Sequence, residues 1–212
     1  MSSKLAKVKQ PKKYDINFAI VSADAFMVHS KYFLNRIGRD MNSAHENASK
    51  DLGGLVASAT NLALAVEIYL KALWMLLGSP PPEDHNLWSL YKRLPDRKLK
   101  DAINKTFDEV NSNSGEQVSA LEVAISTGPM NDEELKRVSD EWSERVSDTD
   151  LKAVLKRSKD AFVTWRYLYE QDSKSNTQII RYEFERLQML ASVFRRYIVQ
   201  VAEERKRRNS VV

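Results

Sequence analysis

The 212-residue chain is long enough for one large domain, and its 42% apolar content supplies a core, which excludes disorder throughout. Six Gly and six Pro are few for this length, against a usual glycine share of roughly 7%, and the balance favours helices. With no Cys and only three His, at positions 29, 45 and 85, a disulfide framework, a thiolate zinc site and a cysteine nucleophile are excluded.

Charge is distributed unevenly. Residues 1 to 14 carry Lys4, Lys7, Lys9, Lys12 and Lys13 with no acid, and residues 195 to 208 hold six Lys or Arg against Glu203 and Glu204. The formal net charge of +4 therefore resides in the two ends, and the body between them is mildly acidic. Basic ends suit nucleic acid or an anionic surface, or simply a solvated terminus. The first 14 residues lack the apolar run of a signal peptide, so the expectation is a cytoplasmic protein with a basic flexible tail over 1–15 and a single helical domain over 16–208.

In chain order, the spacing of Ile20, Ala23, Phe26, Met27, Phe33, Leu34 and Ile37 predicts an amphipathic helix from about Phe18 to Ile37, stopped at Gly38. Residues 52–77 form the most hydrophobic stretch, ending at Gly78 and the prolines 80 to 82, which are the expected helix termination. Glu67 and Lys71 interrupt it, each costing about 2.5 to 3.5 kcal/mol at a bilayer centre, so no membrane span is expected and the segment reads as a central helix covered by its neighbours. Short helices follow at 86–93 and 96–110. Residues 111–130 read as a loop broken by a short segment around Val118 to Ile125. Further helices are expected at 133–138, 150–158 and 161–170, and a long final one from Gln178 to about Arg207. No β-branched alternation bounded by tight turns is evident, and no repeat or linker divides the chain, so the fold class is all-α in one domain.

The chain carries no Gly-rich phosphate loop, dinucleotide fingerprint, HExxH or GxSxG motif, and no metal or cofactor is expected. What remains is a polar constellation on the central helix. Glu67 and Lys71, four apart, share a face in the favourable order. A carboxylate in so apolar a helix needs cations or hydrogen bonds, and Arg166, set among aromatics in the Phe162–Glu170 stretch, is the best distant candidate. These residues with His85 make either an ion-pair network that fixes helix register or a pocket for a phosphate, nucleotide or RNA group. His85 alone reads as a capping or packing residue at the start of the 86–93 helix.

The stretch from Asn61 through Glu67 and Lys71, then Gly78, then His85-Asn86-Leu87 with Leu90, resembles the first half of a HEPN domain, in which a Glu- and Lys-bearing helix is followed by a loop and a His-x-Leu short helix. The later Trp165-Arg166-Tyr167-Leu168-Tyr169-Glu170 is similar to an arginine-tyrosine motif of HEPN-like proteins. The resemblance covers about residues 20 to 205. It implies an up-and-down helical bundle with a long C-terminal helix, a homodimer, and a role in prokaryotic defence, toxin–antitoxin systems or RNA processing. It places Glu67, Lys71, His85, Arg166, Tyr167 and Glu170 in a ligand-binding or buried polar network.

Catalytic HEPN members cut RNA without metal through an Arg followed by a His after four to six positions, and Arg166 has no such His. The spacing occurs at Arg39 and His45, where His45 could serve as acid or base and Arg39 could stabilise phosphate charge. That pair lies before the central helix rather than on a later one. Two readings follow: a non-catalytic module that binds RNA, a nucleotide or a partner protein, or a metal-independent endoribonuclease using Arg39 and His45. In the first, the C-terminal helix contributes surface through Tyr182, Phe184, Phe194, Tyr197, Arg181, Arg186, Arg195 and Arg196; the alternative for these residues is core on one side and solvated charge on the other.

Overall fold

A computed structural model describes residues 14–40, 48–113, 121–126, 131–133, 136, 149–162 and 177–210, with side chains over 14–31, 53–113, 131–133, 136, 149–162, 183–208 and 210. The protein is all-α in class. Among the described residues the helices are α1 (Ile16–Asp40), α2 (Ala48–Leu76), α3 (Leu87–Lys92), α4 (Arg97–Asn113), α5 (Leu151–Arg157) and α6 (Phe184–Asn209). Two short strands, β1 (Leu121–Ser126) and β2 (Thr177–Tyr182), form an antiparallel ribbon in which Leu121 faces Tyr182 and Ser126 faces Thr177.

The central position expected of the apolar helix is realised. Helix α2 packs along α1, against α6 and against α3, while α4 and α5 close over α6 and α3. Ala59, Leu62, Ala63, Ala65, Val66, Leu70, Ala72 and Leu73 are fully buried, and the alanines let neighbouring helices come close. That closeness shows where the Ser58 hydroxyl donates to the Ser30 carbonyl across the α1–α2 contact. Each buried leucine contributes about 1.5 to 3 kcal/mol by leaving water, and Leu187, Leu190, Phe194 and Ile198 of α6 join the same cluster with Leu87, Leu90, Ile103 and Phe107. By length and composition Gly53–Leu76 could cross a bilayer, and half of that segment is buried inside the protein.

Helix ends follow local chemistry. Asp15 caps α1 by accepting from the Phe18 amide at 3.0 Å, Asn86 caps α3 through Ser89, and Asp150 caps α5 through Ala153. Helix α2 closes at Gly78, whose φ of 79° is left-handed. The Ser79 amide donates to the Trp74 carbonyl and the Gly78 amide to the Met75 carbonyl, both at 3.0 Å, which satisfies the last free carbonyls of the helix. Arg205 adds a longer contact, 3.4 Å to the Leu76 carbonyl, placing positive charge at the negative end of α2.

Two expectations are corrected. Helix α1 runs through Gly38 to Asp40, because an interior glycine costs only about 1 kcal/mol relative to alanine and does not by itself end a helix. Residues 178–182, assigned from sequence to the start of the last helix, are strand β2, and α6 begins at Phe184. The strands escaped notice because their partners are about 55 residues apart, so no hairpin turn marks them. The expected helices over 133–138 and 161–170 fall largely outside the described residues.

Candidate functional site

The polar cluster forms where the C-terminal part of α2 meets the loop before α3. Glu67 is buried, 3% exposed, although it is an acid on an apolar helix. Its Oε1 lies 2.7 Å from Lys71 Nζ, one turn on, and 2.9 Å from His85 Nδ1, while Oε2 lies 3.1 Å from the same ring nitrogen. The Schellman turn at Gly78 and the prolines after it bring the chain back so that His85 reaches a helix it left several residues before. The cap of α3 falls to Asn86, which frees His85 to serve as the partner of Glu67.

The cluster grades from dry to wet. Lys71 is partly covered, and the His85 side chain is 61% exposed, so a buried carboxylate holds an imidazole at the surface. Phe162, the described start of the Phe162–Glu170 stretch, stacks on His85 with ring centroids 6.1 Å apart. Asp84 accepts from the Asn86 amide and pairs with Arg93 at 2.7 Å, which fixes the loop carrying His85. Partial burial works to raise the Asp84 carboxyl, but the Asn86 amide, Ser89 and Arg93 outweigh it and hold the group below the usual aspartate range.

The structure thus brings together Glu67, Lys71 and His85. Arg166, Tyr167, Glu170 and His45 lie outside the described residues, and Arg39 is described only as part of the α1 backbone. Among the described residues, no three His, Asp or Glu side chains gather as they would around a metal ion.

Two further charged clusters had no clear signal in the sequence. Glu183, at the junction of β2 and α6, has a fully buried carboxylate gripped by Arg157 Nε and Arg186 Nη1, each at 2.7 Å. Asp24 of α1 accepts from Tyr69 of α2 at 2.6 Å and from Arg195 of α6 at 2.7 Å, so one carboxylate ties three helices. Burial, then the hydrogen bond to Asp24, raise the Tyr69 phenol, and the Asp24 bond raises the Arg195 guanidinium. Glu183 and Arg186 stand at a helical spacing of three, but Arg157 lies 26 positions from Glu183, and Tyr69 and Arg195 lie 45 and 171 from Asp24, so the rest had no local signal.

The C-terminal helix is therefore less of a docking surface than its composition suggests. Phe184, Phe194 and Tyr197 are buried, Tyr197 bonding the Ala102 carbonyl and Thr106 of α4, and Arg186 and Arg195 are taken up in ion pairs. Residues 203–208 at its end are exposed and basic. There Arg205 and Lys206 line a groove of about 710 Å³ with Leu76, Ala202 and the start of α1 from Tyr14 to Asn17.

Comparison with protein-family models, with curated proteins and with solved structures finds no match for this chain. The fold and the site themselves define a helical protein organised around a buried acid that presents an imidazole and an ammonium toward solvent.

Proposed function

We propose that this chain is a HEPN-like, non-catalytic helical module that binds RNA in the cytoplasm, in a prokaryotic defence or toxin–antitoxin setting. The observation that carries the reading is the Glu67–Lys71–His85 arrangement. A Glu and Lys on the central helix, a loop, and a His at the mouth of the next short helix are the parts, in the order, that the resemblance calls for.

The chemistry suits a phosphodiester flanked by a base. The Lys71 ammonium and the His85 imidazole both reach toward solvent from one buried carboxylate. Lys71 gives one of its three donors to Glu67, which leaves hydrogen-bonding capacity for an anion. The largely exposed His85 ring, backed by Phe162, offers an aromatic platform for stacking a base. Arg205 and Lys206, near the C-terminal end of α2, form a separate basic site that a longer strand could also contact.

Fluorescence anisotropy with a labelled single-stranded RNA, across a salt series and in EDTA, tests this. Binding that weakens with salt and falls at least tenfold in both His85→Ala and Lys71→Ala supports it. No binding at low salt, or binding indifferent to both substitutions, overturns it. RNA cleavage in EDTA that disappears in Arg39→Ala and His45→Ala would instead establish the ribonuclease reading.

A further inference from the structure

Helix α1 carries two apolar stripes on nearly opposite sides. One, formed by Ile16, Ile20, Ala23, Met27 and Ser30, turns inward onto α2, with Ala23 and Ser30 fully buried. The other is Phe18, Val21, Ala25 and Val28, and every member is exposed: Phe18 by 72%, Val21 by 65% and Val28 by 64%. Their steps of three, four and three are the alternation that makes a straight helix-on-helix seam. Phe18, Val21 and Val28 are the three most exposed of the six large apolar side chains that the described surface exposes, so apolar exposure is concentrated on this face.

We infer that this face pairs with the same face of a second copy, antiparallel, about a two-fold axis near residue 23. A closed dimer needs a patch complementary to itself. Centred there, Phe18 meets the partner's Val28 and Val21 meets the partner's Ala25, so each large group lies over a smaller one. Charge fixes the direction. The acidic end of the stripe, flanked by Asp15 and Asn17, falls over the basic end flanked by His29 and Lys31, all exposed. A parallel pair would stack Asp15 on Asp15 and Lys31 on Lys31. Asp15 can cap α1 through Oδ1 and still present its second oxygen. Asp24, which the axis brings near its own copy, is already neutralised by Arg195.

The seam from Phe18 to Val28 is about 15 Å long at 1.5 Å per residue. One helix of that length covers less than the roughly 800 Å² per partner of a standard interface, so the dimer is weak and exchanges readily. The proposal stands apart from RNA binding, because self-association is read without any RNA.

Sedimentation velocity on the purified chain from low to high micromolar concentration is expected to show a monomer–dimer equilibrium, with Phe18→Glu weakening it at least tenfold and leaving the melting temperature unchanged. Because the chain has no Cys, Asn17→Cys and Lys31→Cys give unique handles. A short bismaleimide should join the two variants when mixed, and neither variant to itself. A chain that stays monomeric throughout, or that shifts to dimer equally in Phe18→Glu, overturns the proposal. Crosslinking of Asn17→Cys to itself overturns the antiparallel register, and capture by phosphatidylcholine vesicles, lost in Phe18→Glu, would assign the face to a lipid surface instead.

Discussion

His85 Nδ1 lies 2.9 Å from Glu67 Oε1 across a sequence separation of 18 residues, and this contact joins the central helix to the loop that opens α3. The acid is buried and the imidazole mostly exposed, so the three members of the cluster differ in what their removal costs.

Lys71→Ala should destabilise more than Glu67→Ala. The first strands a buried carboxylate with His85 as its remaining partner among the described residues, and about 2 to 3 kcal/mol is expected, toward the low end for a broken buried pair. The second removes the buried charge itself and leaves cations that reach water, at about 1 to 2 kcal/mol. Urea denaturation of both variants checks the order, and equal losses would contradict the burial argument.

Glu183→Ala should cost about 3 kcal/mol, because it leaves Arg157 and the largely covered Arg186 facing each other without the shared carboxylate. Glu183→Gln keeps the volume but not the charge and should recover only part of the loss. Thermal melting of the two variants separates charge from packing.

Gly78→Ala should lose about 1 to 2 kcal/mol through backbone strain alone, since a Cβ built there meets no atom within 4 Å while φ is positive. Gly78→Asn, better tolerated in the left-handed region, should lose less. Because the turn returns the chain toward His85, anisotropy on the same variants would show whether RNA affinity follows stability.

Two aspartates should respond oppositely to acid. Burial, then the charge of Asp150, raise the Asp108 carboxyl, so the fold carries a cost at neutral pH that fades as protons bind. Asp108→Asn should melt higher than the parent at pH 7, with the difference vanishing below the ordinary aspartate value of 3.8. Asp84 is held low, so its contribution is complete above that value and is lost as pH falls through its depressed one. Asp84→Asn should melt lower at neutral pH and match the parent in acid. Melting curves across pH 3 to 7 test both signs.

The helical class, the central place of α2 and its termination at Gly78 were legible in the residues, because glycine scarcity, apolar periodicity and a Gly-then-Pro ending are local properties that act over a few turns. Pairing of Glu67 with Lys71 was legible for the same reason, being one turn of helix. The β1–β2 ribbon, the hold of Arg157 and Arg186 on Glu183 and the Asp24–Tyr69–Arg195 tie were decided only by the tertiary structure. Apart from Glu183 with Arg186, three positions on, each joins residues that no local period links, and many acids and bases in the chain could have paired in their place. The same holds for α1: its two stripes are both apolar in sequence, and only the packing of α2 against one of them leaves the other facing water.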